Sequence, residues 1–131
     1  MILTFKEQFV EPIKIGKKIH TIRTDKLRRW KPGMKIHLWK GNPRNVKQNP
    51  FSFGTLECVS VQEISFKMGG EFGTETIVDG RILELHEAVK IAWSDGFLNL
   101  YKMHEWFMYS KKNGWIGEYH GRLIHWTDTK Y

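Results

Sequence analysis

The sequence predicts an α+β domain, a small barrel or strongly bent sheet of about five to seven strands decorated by two or three helices. Three observations carry this expectation. Short segments with strand periodicity recur through the first half of the chain. Two amphipathic stripes of helical period follow between residues 85 and 108, and a strand-like segment closes the sequence. At 131 residues and 40% hydrophobic content, the chain can bury about two-thirds of its unfolded surface in one core. Residues 1–131 therefore read as a single domain.

The elements follow in order. Ile2 to Phe5 is a short first strand. Glu11-Pro12 opens a short helix, because proline fits the first helical position, and Gly16 suits its exit. His20 to Arg23 is a strand, Lys31-Pro32-Gly33 is turn chemistry, and Lys35 to Trp39 alternates polar and apolar residues as a half-buried strand should. Gly41 to Pro50, with two prolines and three asparagines, is a long loop. Phe53 to Phe66 is strand-like but out of phase. Leu56 and Cys58 share one face while Val59 and Val61 share the other, so either both faces are covered or a bulge resets the alternation. Lys67 to Gly80 reads as a loop with a short strand near Thr76 to Val78. Leu85, Ala88, Val89, Ala92 and Trp93 form a core-facing helical stripe that Gly96 ends. Asn99 caps a second helix whose stripe is Leu100, Met103, Phe107 and Met108. Helical spacing also assigns Trp93 and Trp106 to the core. Arg122 to Thr127 is the closing strand.

The formal charge of +7 sits in one segment. From Lys14 to Lys31, eight basic residues face a single acid, Asp25, while the remaining 113 residues balance at 13 and 13. A localised excess focuses potential onto one surface, and an anionic partner, nucleic acid first, is the inference. Cys58 is alone, which excludes an internal disulfide and a cysteine cluster for zinc. The six histidines lack ligand spacing, so neither a metal nor a cofactor is expected. No apolar run is long enough to span a bilayer, and Met1-Ile2-Leu3-Thr4-Phe5 lacks the basic start of a signal peptide. No membrane partner is expected, and a reducing cytoplasm is the expected compartment.

Gly16-Lys17-Lys18-Ile19-His20-Thr21-Ile22-Arg23 resembles the glycine, basic, lysine, x, x, threonine, x, arginine signature of ASCH domains, relatives of the PUA RNA-binding fold. The resemblance extends to Trp30-Lys31-Pro32-Gly33 before a strand, and to Ala92-Trp93-Ser94-Asp95-Gly96-Phe97 followed by a helix through Trp106-Phe107. It implies a PUA-like β-barrel whose cleft binds RNA or a nucleobase. One branch, the bacterial acetylcytidine amidohydrolases, hydrolyses an amide on a modified nucleoside with lysine, threonine and glutamate. Those positions fall on Lys18, Thr21 and Asp95, the last one methylene shorter than the family glutamate.

The chemistry of these residues is coherent on its own terms. A threonine hydroxyl needs a base, and a lysine can serve when burial or neighbouring cations pull its pKa toward neutrality. Residues three apart on a regular strand point to opposite faces. Lys18 and Thr21 therefore converge only if Lys18 lies in the turn before the strand, or if the strand is bulged. Arg23 shares the face of Thr21 and, with Lys17, is expected to hold phosphate. Lys26, Arg28 and Arg29 are expected to position phosphates, and Trp30 either stacks on a base or sits in the core. Asp95 faces the negative end of a helix, unless Asp-Gly is simply turn chemistry.

The leading expectation is an RNA- or nucleotide-binding module. The alternative is an amidohydrolase on an acylated nucleoside, with Lys18 as base, Thr21 as nucleophile and Asp95 as acid. A module that docks an acidic protein is the third. The oligomeric state is not read from the sequence.

Overall fold

The computed structural model describes residues 1–70 and 73–131. The chain runs β1 (Ile2–Phe5), a 3-10 turn, α1 (Val10–Lys14), β2 (His20–Arg23), β3 (Lys35–Lys40), a second 3-10 turn, β4 (Phe51–Glu57) and β5 (Ser60–Gly70). It continues through β6 (Gly73–Val78), β7 (Arg81–Ile82), α2 (Leu85–Ser94), α3 (Leu100–Met108), β8 (Tyr109–Ser110), β9 (Gly114–Trp115) and β10 (Glu118–His125). The α+β class stands. The strands form a three-stranded sheet β1-β3-β4, a five-stranded sheet β2-β10-β5-β6-β7 and the small β8-β9 ribbon, and among the described residues they do not close into a barrel.

The expected phase break between Leu56 and Val61 marks a change of sheet. Cys58 is tied to the first sheet's side, its N–H donating to Met34 O at 2.8 Å and its carbonyl accepting from Gly33 N at 2.7 Å. Val59 N donates to His125 O at 2.8 Å, on the second sheet. The chain thus ends β4 in one sheet and starts β5 in the other, which inverts the inside and outside residues without a bulge at that point.

Three other expectations are corrected. Residues 67–70 and 73–78, read largely as loop from the sequence, are strand, with β5 pairing antiparallel to β6 from Ile64–Val78 to Gly70–Gly73; residues 71–72 lie outside the described residues. Positive φ at Gly69 and Gly73 belongs to the end of a hairpin rather than to a loop. Pro12 is the third residue of α1, because that helix continues from the preceding 3-10 turn. In α2 the buried face is Ala88, Ile91 and Ala92, while Leu85 and Trp93 are 72% and 55% exposed. Two alanines and an isoleucine face inward, and the bulkier Leu85 and Trp93 turn outward.

The core gathers Leu3, Ile36, Ile64, Phe66, Ile91, Met103 and Leu123, drawing on both large sheets and on α2 and α3. Phe66, Ile36, Ile91, Met103 and Leu123 are fully enclosed. Burial on this scale supplies the main stabilisation, at about 25 cal/mol per Å² of apolar surface. No helix among the described residues is long and apolar enough to cross a membrane.

Candidate functional site

A cleft of about 770 Å³ opens between β2, the β1–α1 segment, the start of the 41–50 loop, the end of α2 and α3. Its volume is that of a small-molecule site. Lys18, Thr21, Arg23 and Asp95 all line it. They arrive from two segments more than seventy residues apart in sequence, and the local structure of each explains the meeting.

Gly16 leaves α1 with φ of 79°, a conformation that glycine adopts without a Cβ penalty. The chain then folds back so that the N–H groups of Lys17 and Lys18 both donate to Pro12 O at 2.9 Å. Lys18 therefore lies in the turn before β2, which is how it reaches the side of the strand on which Thr21 and Arg23 sit. Its aliphatic stem passes Gly96, where an added Cβ would stand 3.1 Å from Phe9 Cδ1 and 3.3 Å from Lys18 Cδ. The bare backbone at Gly96 is what gives the lysine its path.

Asp95 is the C-cap of α2. Its position at the negative helix end is offset by two donors. Lys18 Nζ donates to Asp95 O at 2.6 Å and lies 3.2 Å from Oδ1, so a cation caps the helix terminus as the macrodipole favours. The backbone adds a third tie, Ile19 N to Ser94 O at 2.9 Å. His20 Nδ1 reaches Asp95 Oδ1 at 2.7 Å. The acid is thus the hub of a buried polar cluster and not merely a turn residue.

Lys18 is only 2% exposed, and burial pulls its ammonium down to a pKa of about 8. The Asp95 carboxylate opposes that shift and the Arg23 guanidinium adds to it. The Lys18 ammonium donates to Asp95 O, Oδ1 lies 3.2 Å away, and the residue also lines the cleft. Arg23 is clamped by a donation from Nη2 to Thr4 O at 2.6 Å and by the Phe5 ring 4.8 Å away. Its Nε reaches Thr21 Oγ1 at a long 3.4 Å. Arg23, and not Lys18, is therefore the partner that the structure gives to the threonine hydroxyl.

Lys17, Lys26, Arg28, Arg29 and Trp30 do not line this cleft. Lys17, Lys26 and Arg29 are exposed, and Arg28 pairs with Glu63 at 2.8 Å on the surface. Trp30 is 6% exposed and belongs to the core, so of the two expectations for it the base-stacking one is corrected. Asp25 holds this loop in place. It accepts from the N–H groups of Arg29 and Trp30 at 2.9 and 3.0 Å and from Arg122 Nη1 at 2.8 Å. Burial would raise its pKa, but those donors hold the carboxyl below its usual value.

Several cleft residues were not read as site residues from the sequence. Trp106, assigned to the core by helical spacing, is 42% exposed at the cleft, with Lys6 Nζ 5.0 Å from its ring centroid. Phe97 and Phe9 back it edge-on at 5.8 and 5.4 Å. Phe107 and Tyr119 add further ring surface. Asn42 and Gln48 of the 41–50 loop bring amides to the rim, where Gln48 Oε1 accepts from Asn42 N at 2.7 Å. The motif-based reading located the polar floor, and the aromatic wall comes from tertiary packing. Among the described residues, no group of three His, Cys, Asp or Glu side chains is placed to hold a metal ion. In comparisons with family models, curated proteins and solved structures, no match to this chain is found.

Proposed function

We propose that this chain is an ASCH-type, PUA-like module that binds a nucleotide or the exposed end of an RNA strand in the cleft around Lys18, Thr21, Arg23 and Asp95. One observation carries the reading. Cations and aromatic rings share a single concave surface, with Lys6, Lys18, Arg23 and Lys40 set beside the exposed Trp106 and the half-buried Tyr119. Phosphate asks for the former and a base for the latter. Arg23 and the Lys18 ammonium take the anionic group. Trp106 offers its face to the base, and the Asn42 and Gln48 amides stand at the rim to read its edge. The exposed cations at 26–29 follow Thr24, another cleft residue, and steer an anionic strand toward the opening.

The test is affinity for short single-stranded RNA as a function of salt. The logarithm of the binding constant should fall with log salt at a slope of about −0.7 per phosphate neutralised. Arg23→Ala should weaken binding. A salt-independent response for every oligonucleotide and mononucleotide tried overturns the reading.

A second reading, hydrolysis of an acylated nucleoside, is favoured by Lys18, whose pKa of about 8 suits a general base. This route requires the Thr21 hydroxyl to turn from Arg23 Nε toward Lys18, and neutral Lys18 would then take its proton as the oxygen attacks the amide carbonyl. The resulting ammonium would return that proton to the departing amine, and water would then hydrolyse the threonyl ester. Release of cytidine from acetylcytidine, lost in Thr21→Ala, supports this route; release that persists in Thr21→Ala removes it.

A further inference from the structure

Behind the cleft floor lies a buried chain of polar groups that neither reading above uses. His20, fully enclosed on β2, sits between Asp95 and Tyr131. Its Nδ1 is 2.7 Å from Asp95 Oδ1 and its Nε2 is 2.7 Å from the Tyr131 hydroxyl. An ionised carboxylate only accepts, so Nδ1 carries the proton and donates to Asp95. In the neutral imidazole Nε2 then accepts from the Tyr131 O–H. Burial, the largest influence on His20, lowers its pKa and keeps it neutral despite the carboxylate beside it.

Tyr131 is itself fixed by Gln62 on β5. Its N–H donates to Gln62 Oε1 at 2.9 Å, and its carbonyl accepts from Gln62 Nε2 at 2.8 Å. His125 on β10 completes the surroundings, with its Nε2 3.0 Å from Gln62 Oε1 and its ring packed edge-on against His20 at 5.2 Å. Burial holds His125 down to a pKa of about 4, so it adds no charge here. The charged groups around Asp95 are then Lys18 and, farther out, Arg23.

Two donors compete for one carboxylate oxygen. Oδ1 lies 2.7 Å from His20 and 3.2 Å from Lys18. A well-formed ammonium–carboxylate hydrogen bond is shorter, about 2.7–2.9 Å. The histidine holds the closer position.

We propose that His20, oriented by Tyr131, is a positioning residue that keeps the Asp95 carboxylate from closing onto the Lys18 ammonium, leaving Lys18 poorly neutralised and available to the cleft ligand. The proposal deepens the cleft reading, and its test needs no ligand, so the failure of one is distinguishable from the failure of the other. The probe is the Lys18 ammonium itself, titrated by Nζ-detected nitrogen NMR in the free protein. Replacing the imidazole by an apolar group, His20→Leu, lets the carboxylate turn fully to Lys18, and the lysine pKa should rise by about one unit or more. His20→Asn places an amide N–H close to where Nδ1–H stood and should restore the wild-type titration. A Lys18 pKa that is unchanged or lower in folded His20→Leu overturns the proposal. Should that variant fail to fold, the wild-type His20 ring decides. Its nitrogen resonances should report a neutral imidazole protonated at Nδ1 from pH 7 to pH 8. A charged ring at pH 7.5, or a proton on Nε2, overturns it.

Discussion

Lys18→Met keeps an unbranched apolar stem in the channel beside Phe5, Phe9 and Gly96 while removing the ammonium. Above the histidine range, the difference in unfolding free energy between wild type and this variant reads chiefly the titration of this side chain. Burial lowers the pKa of His20 most and Lys18 adds to that shift, which bears on the acid end of the scan. The lysine has a pKa of about 8 in the fold and 10.5 as its ordinary value. Between those values the unfolded chain binds the proton and the folded chain does not, so stability rises with pH. Below pH 8 both states are protonated, no slope arises from Lys18, and the full cost of burying the ammonium is present. That cost is relieved as pH climbs through 8, at about 1.36 kcal/mol per unit, or about 2 kcal/mol between pH 8 and 9.5. Cys58, Tyr119 and Tyr131 all have pKa values raised by burial and pull stability the other way in alkali. They are common to both proteins and cancel in the difference. Urea unfolding at half-unit steps from pH 6.5 to 9.5 reads it. The two curves should run parallel up to about pH 7.5 and then diverge in favour of wild type. Parallel curves throughout, or divergence in favour of the variant, would show that Asp95 neutralises the ammonium and that the burial argument is wrong.

Gly96→Ala forces a Cβ onto a backbone with φ of 91° and against Phe9 and Lys18. It should cost about 1–3 kcal/mol in thermal or urea unfolding. Arg122→Ala removes the cation of the partly buried Asp25 carboxylate, which keeps its bonds from Arg29 N and Trp30 N, and should destabilise by about 1–3 kcal/mol. Arg28→Ala breaks the exposed pair with Glu63 and should change unfolding by no more than about 0.5 kcal/mol. Trp106→Ala should weaken mononucleotide binding by about 1–3 kcal/mol, read by calorimetry. It should also lower unfolding free energy by about 1–3 kcal/mol, because the buried half of the ring packs on Phe9 and Phe97.

What the sequence made legible follows a physical pattern. β1 and β3 were readable because one face is buried and the other wet, which imposes a period of two. Gly16 and Gly96 were readable because each takes a positive φ just past a helix end, and Gly33 because it takes one in the turn before β3. Asn99 was readable because its side chain accepts from Lys102 N at 2.8 Å, a local bond. The β5–β6 hairpin was hidden by its own glycines, which punctuate the sequence as a loop would. The face of α2 was misread because Leu85 and Trp93 fit the helical period yet lie outside the contact that Ala88, Ile91 and Ala92 make. In the site, the lysine, threonine and arginine were visible as a spaced motif. The contacts of His20 with Asp95 and Tyr131 span 75 and 111 residues, and no local spacing encodes such pairs. Trp106 looked like core for the same reason, since only the tertiary arrangement decides which tryptophan meets solvent.

Whether one ligand engages Lys18, Thr21, Arg23 and Trp106 together is read most directly by titrating a 5′-nucleoside monophosphate into labelled protein and following amide, lysine Nζ, arginine Nε and indole resonances. Binding in the cleft should move those four residues in concert, with a single dissociation constant and weaker movement at Lys26, Arg28 and Arg29. Movement confined to residues 26–29, with the cleft resonances stationary, would place the anion site on the basic loop and leave the cleft without a ligand.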